Sequence, residues 1–286
     1  IPTLCRTART KEDTMKHQHI WAILLGIILL FGLGTGAGAE ELVRISKIKN
    51  RQVLLPDGET GELSTVLFDP QTGVVGFAVV SKGGVFGLLD EEIVVPWPAL
   101  DMLQDGSFRV EKGVSPSPKP ETMTMERVTD IYQAAGLEDR IANARQRFEA
   151  RACAADWTCE RLLELERVAF YRIRLREDGQ NVGLVRDILI DPVAGQVLLL
   201  VMERGAYFFR WVETTVAGNL VLLPWPSVAP VQDLDILIAK PDQDELSGVS
   251  VYRPEESLDV DLNRAEKIYS HFGYDTYWKT LREGEK

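Results

Sequence analysis

Histidine is nearly missing from this chain. There are three in 286 residues, and only His271 lies beyond residue 39. A Ser-His-Asp triad or a two-histidine zinc site therefore has little to draw on. The G-x-S-x-G, G-x-x-x-x-G-K and G-x-G-x-x-G patterns are all lacking, which removes the usual hydrolase, NTPase and dinucleotide fingerprints. Basic residues are in deficit too, with 32 Lys and Arg against 43 Asp and Glu. That balance argues against nucleic acid and anionic lipid as partners, since both attract basic patches. No cofactor, metal site or catalytic residue is expected. His271 sits where a last helix ends, a place that suits an imidazolium facing the helix dipole.

Long apolar runs are equally scarce, and the one present is informative. The first Met is Met15, followed by the basic stretch Lys16, His17 and His19. An apolar run over residues 20–33 leads to Ala37-Gly38-Ala39 and then Glu40-Glu41. Basic start, apolar centre and A-x-A site are the parts of a secretory signal peptide. The expectation is translation from Met15 and cleavage after Ala39, with residues 1–14 an upstream extension and 15–39 the signal. The alternative is an uncleaved anchor, because residues 20–39 are about long enough to span a bilayer. Either way Arg6, Arg9, Lys11 and Lys16 precede the run, which leaves the rest of the chain outside the cytoplasm. A chain starting at Glu40 carries 28 basic and 41 acidic residues.

Of the three cysteines, Cys5 lies upstream of Met15, and Cys153 and Cys159 stand six residues apart. In an oxidising compartment an even pair reads as a disulfide. The bond needs a turn between them, since a continuous helix would place them on different faces. The C-x-x-C redox spacing is absent.

What the chain does have is a phrase said twice. DGETGELSTVLFDPQTGVVGFAVVSKGG recurs as DGQNVGLVRDILIDPVAGQVLLLVMERGA, at a constant offset of 122 positions from Gly61 and Gly183 to Gly83 and Gly205. VPWPAL recurs as LPWPSV, 128 positions later. The second copy therefore holds six extra residues, assigned to a longer hairpin tip at 213–219. Branched apolar residues predict strands at 62–68, 74–81 and 93–95, and at 183–190, 196–203 and 220–223. First strands are expected at 42–48 and 168–176, last strands at 108–111 and 235–238. Asp69, Pro70 and Gly73 carry the chemistry of a bulged hairpin, as do Asp191, Pro192 and Gly195. Pro96 and Pro98 flank Trp97, and Pro224 and Pro226 flank Trp225. Each proline removes an amide donor, so the chain leaves the sheet there. The two tryptophans are expected to cap the end of a barrel; the alternative is an exposed aromatic for a partner. Five or six short strands in about 70 residues fit a small closed or half-closed barrel better than a sandwich.

Each barrel is followed by a helix. Arg127, Ile131-Tyr132 and Gly136 match Arg264, Ile268-Tyr269 and Gly273. Thr124 and Asp261 are expected N-caps. A Pro/Ser linker is expected at 113–121 and a longer acidic one at 241–259. Residues 137–167 read as one or two bridging helices with a mixed-charge face. The divisions are then 42–112 for the first barrel, 113–167 for linker and helices, 168–240 for the second barrel, and 241–286 for acidic linker and last helix.

The D-G opening at Asp57-Gly58, the V-L-x-D-P-x-x-G-x-V hairpin at 66–74, the G-G turn and V-P-W-P-A-L at 95–100 resemble the PRC-barrel family. The likeness covers about 42–112 and 168–240. It implies a mainly β fold with α additions: two small PRC-type β-barrels, each followed by a helix, joined by a helical linker. It also implies a protein-interaction or assembly module rather than an enzyme.

The expected function is therefore an exported, non-enzymatic tandem module that meets an unidentified envelope protein. One alternative is a membrane-anchored accessory subunit of an envelope redox or transport complex. Another uses the carboxylates Asp242, Asp244 and Glu245 for calcium or for envelope chemistry, although the EF-hand spacing is absent.

Overall fold

Local turn chemistry opens each repeat. Asp57 accepts the Glu59 amide at 2.9 Å and Asp178 accepts the Gln180 amide at 2.8 Å. Each carboxylate closes an Asx turn between two antiparallel strands. The computed structural model describes residues 41–83, 91–120, 123, 125–137, 162–176, 178–204, 218–231, 235–253, 258–276 and 278. The signal region 15–39, Cys153, Cys159, Thr124 and the loop tip at 213–217 lie outside them, as does most of the bridging segment.

The first repeat runs β1 (Val43–Arg44), α1 (Ile45–Ile48), β2 (Gln52–Leu54), β3 (Thr60–Phe68), β4 (Val75–Lys82), β5 (Glu91–Pro96), β6 (Leu100–Met102), β7 (Phe108–Val110), β8 (Ser117–Pro118) and α2 (Met125–Ala134). The second runs β9 (Leu163–Glu164), α3 (Leu165–Val168), β10 (Arg172–Leu175), β11 (Asn181–Asp191), β12 (Gln196–Arg204), β13 (Leu220–Pro224), β14 (Val228–Val231), β15 (Ile236–Ala239), α4 (Gln243–Ser247), β16 (Val251–Tyr252) and α5 (Leu262–His271). A 3₁₀ turn follows β5 at Trp97–Ala99 and β13 at Trp225–Ser227.

The strands form two curled sheets, ordered β6-β7-β2-β3-β4-β5-β8 and β14-β15-β10-β11-β12-β13-β16. Each is a half-barrel. The curl comes from bulges at matching places, between Leu63 and Thr65 and between Val185 and Asp187, because an extra residue bends and twists its strand. The chain is mainly β, with short helices packed on its two barrels.

The opening strand of each repeat departs from the sequence expectation. Residues 42–48 are not one strand: Val43–Arg44 pairs briefly, Ile45–Ile48 makes a helical turn, and the barrel strand starts at Gln52. The second repeat does the same from Leu163 to Leu175. The break falls at Asn50 (φ +61°) and Phe170 (φ +82°), left-handed residues that no strand interior accommodates.

The two short strands cross over. β1 pairs with β11 of the second repeat (Val43↔Ile190), and β9 pairs with β3 of the first (Leu163↔Phe68). Each repeat lends an arm to the other barrel. The stretches read as bare linkers also take part. Ser117–Pro118 pairs with β5 and Val251–Tyr252 with β13. Gln243–Ser247 is a helical turn with a capping box, in which Asp242 accepts the Glu245 amide and Glu245 accepts the Asp242 amide. Two of the carboxylates considered for calcium are thus engaged in starting a helix.

One apolar core runs through both barrels, from Val53 and Phe77 to Ile188 and Leu237. A second lies between the outer face of β12–β13 and α5. The helix tyrosines hold matching places: Tyr132 Oη donates to the Gly76 carbonyl at 3.1 Å, and Tyr269 Oη to the Leu198 carbonyl at 2.9 Å.

Candidate functional site

The hairpins and tryptophan corners singled out in the sequence converge on one place, the seam between the barrels. The hairpins are built first by their own aspartates. Asp69 accepts the Gln71 amide at 2.9 Å, and Asp191 accepts the Val193 and Ala194 amides at 3.0 Å. Pro70 and Pro192 follow, and Gly73 and Gly195 end the turns at φ +75° and +60°.

The two tips then pair with each other. The Val75 amide donates to the Gly195 carbonyl and the Val197 amide to the Gly73 carbonyl, both at 2.8 Å. Val74 and Gln196 form an antiparallel bridge between them. The arrangement has approximate two-fold symmetry: the two amide–carbonyl bonds exchange with the repeats, and the Val74–Gln196 bridge lies between them. Gln196 adds an unmatched bond, its Nε2 donating to the Thr72 carbonyl at 2.6 Å.

Trp97 and Trp225 sit over the opposite repeat's hairpin. Pro96 and Pro224 end β5 and β13, and Pro98 and Pro226 lie in the 3₁₀ turns that aim the indoles inward. Both indoles are buried, at 4% and 2% exposure. Trp97 Nε1 donates to the Pro192 carbonyl at 2.9 Å. Trp225 meets Phe68 edge-on at 5.2 Å. A Cβ on Gly195 would lie 2.7 Å from Trp97 Cδ1, and one on Gly73 2.9 Å from Trp225 Cδ1. These glycines therefore serve the turn and the close approach together. Trp97 also touches Phe108 of its own barrel at 6.1 Å. The expected barrel cap is half of its role, and the hairpin of the other repeat is the rest.

Polar ties fix the exchanged arms. Asp187, 3% exposed, accepts Arg44 Nε at 2.7 Å, Ser46 Oγ at 2.5 Å and the Ser46 amide at 3.2 Å. Lys119 Nζ reaches Glu92 at 2.8 Å and Glu164 of the other arm at 3.0 Å. Burial works against the Lys119 charge, but the bonds to Glu92 and Glu164 outweigh it and hold its pKa above the usual amine value. Sequence reading missed Arg44, Ser46, Asp187 and Gln196. Their partners lie more than 120 positions away, and no local pattern marks them.

The seam joins the two repeats. Its polar groups are paired backbone amides and carbonyls, the Gln196 amide, the Ser46 hydroxyl, an indole N–H and the carboxylate–cation ties of the arms. Among the described residues, no group of three or more His, Cys, Asp or Glu side chains is placed to hold a metal. No helix among them is long and apolar enough to cross a membrane.

No curated protein matches the chain. The family model described as PRC-barrel domain matches residues 40–112 and again residues 175–246. Those stretches contain both hairpins, both tryptophan corners and most strands of the half-barrels just described, and the chain belongs to the PRC-barrel domain family, with two copies in tandem.

Proposed function

We propose that this protein is an exported, non-enzymatic assembly module that docks onto a protein of the cell envelope. The observation that supports this reading is the seam itself. The residues that characterise each repeat are used to bind another barrel, through strand pairing and buried indoles. A chemical step has no obvious place there. Export rests on the signal-like residues 15–39 and on the acidic balance of the rest. A chain held by residues 20–39 would act in the same way beside a membrane complex.

The test is crosslinking and affinity capture of the tagged full chain from its own envelope fraction, with N-terminal sequencing of the recovered protein. A stoichiometric envelope partner and a start at Glu40 are expected. A start upstream of residue 20 assigns the anchored form. Recovery without any partner, together with turnover of a substrate by the pure protein, overturns the reading.

A further inference from the structure

Helix α5 carries a difference between the repeats that the seam does not use. Ile268-Tyr269 aligns with Ile131-Tyr132, so Asn263, Arg264, Lys267 and His271 occupy the places of Glu126, Arg127, Asp130 and Ala134. The arginine is kept. In the second repeat it lies 4.5 Å over the Tyr252 ring and donates to Tyr252 Oη and the Asp259 carbonyl. Lys267 and His271 are the novelty. They stand four residues apart, hence on one face of the helix.

That face borders a cleft of about 770 Å³, within the size range of small-ligand sites. Leu222, Val249 and Ile268 give it an apolar floor, and Tyr252 an aromatic wall. Gly248 and Ser250 line it as well. The His271 ring lies beside Gly248: a Cβ on Gly248 would be 3.4 Å from its Cε1. Among the described residues, neither Arg264, Lys267 nor His271 has a carboxylate within salt-bridge distance. This is unusual in a chain with a net charge of −11. Two carboxylates, Asp259 and Asp261, also line the cleft, and Asp261 precedes Lys267 by six positions. Asp261 is engaged as the N-cap, accepting the Arg264 amide at 2.7 Å.

We infer that this cleft binds a small molecule with an apolar body and one oxyanion group, the oxyanion resting between Lys267 and His271. An ammonium and an imidazole can both donate to a phosphate or carboxylate oxygen, and the floor accepts the apolar part. The α5 dipole opposes an anion at this end by under about 1 kcal/mol at an exposed site, less than a charge-assisted bond contributes. A bilayer is a poorer fit. The chain carries a net charge of −11, which an anionic membrane repels.

Phenyl phosphate is the probe. Isothermal titration of the full chain is expected to show saturable one-to-one binding, at least tenfold tighter than inorganic phosphate. K267D/H271A installs the side chains of the first repeat at two exposed positions. It is expected to keep the melting temperature and to bind phenyl phosphate at least tenfold more weakly, with K267M intermediate. Absent binding, equal binding by the variant, or binding only to phosphatidylglycerol vesicles overturns the inference. The outcome is independent of any envelope partner.

Discussion

The indole of Trp97 donates its proton to the backbone carbonyl of Pro192, 95 residues further along the chain, at 2.9 Å. One repeat's corner thus reads the other repeat's turn. Trp97→Ala removes the bond and leaves a void against Gly195 and Phe108. A loss of about 3–5 kcal/mol is expected, the usual range for emptying a buried tryptophan site. Trp97→Phe, which loses the bond but keeps most of the ring, is expected to cost about 1–2 kcal/mol. Urea unfolding followed by fluorescence and by circular dichroism checks both. The two probes should remain coincident in the wild type, because one core spans both barrels.

Asp187 is the anchor of the first arm. Asp187→Ala leaves the Ser46 hydroxyl and amide without their acceptor and is expected to cost about 2 kcal/mol. Arg44 is partly exposed, so water can take the place of Asp187 around it in that variant. Arg44→Ala is expected to cost more, about 3 kcal/mol, because it leaves the buried Asp187 carboxylate without its cation. A smaller loss in Arg44→Ala than in Asp187→Ala, read from urea midpoints, would contradict this division.

Phe170 carries φ +82° and is 63% exposed, while its counterpart Asn50 carries φ +61°. Asparagine tolerates the left-handed region and a bulky aromatic residue does not. Phe170→Asn is expected to raise stability by about 1 kcal/mol, a rise in melting temperature of about two degrees or more for a chain of this size. A fall would mean that the ring makes contacts worth more than the strain.

Lys119 ties the second arm, and its pKa lies above the ordinary 10.5. The sign is that of a cation gaining partners. Its stabilising contribution is complete below the unfolded pKa and is lost as pH rises through the higher folded value. Lys119→Met should therefore lower stability at neutral pH. It should also lessen the further loss that the wild type shows above about pH 10.5. Melting curves across the alkaline range of both proteins check it. Parallel curves would show that the tie contributes nothing.

Local chemistry made the hairpins, the corners and the helix tyrosines readable from residues alone. An Asp-Pro turn, a proline that ends a strand and an Asp N-cap act within a few positions. The exchanged arms were not readable, because β1 and β9 are two residues long and too short for any periodicity. The direction of Trp97 was readable only in part. Its burial follows from its type, whereas its partner Pro192 follows from docking two repeats. The cleft along α5 is a still clearer case. It draws on residues from Leu222 to His271, and its basic side stands out only when α5 is laid over α2.

The exchange of arms also sets an order of completion. The first barrel borrows Leu163–Glu164, which lie past the midpoint of the chain. On the ribosome or emerging from a translocon, that barrel stays one strand short until more than half of the protein has been delivered. The second barrel finds its borrowed strand, Val43–Arg44, already present. A stall or a stop between the repeats therefore leaves the edge of β3 bare, a surface open to pairing with another nascent chain.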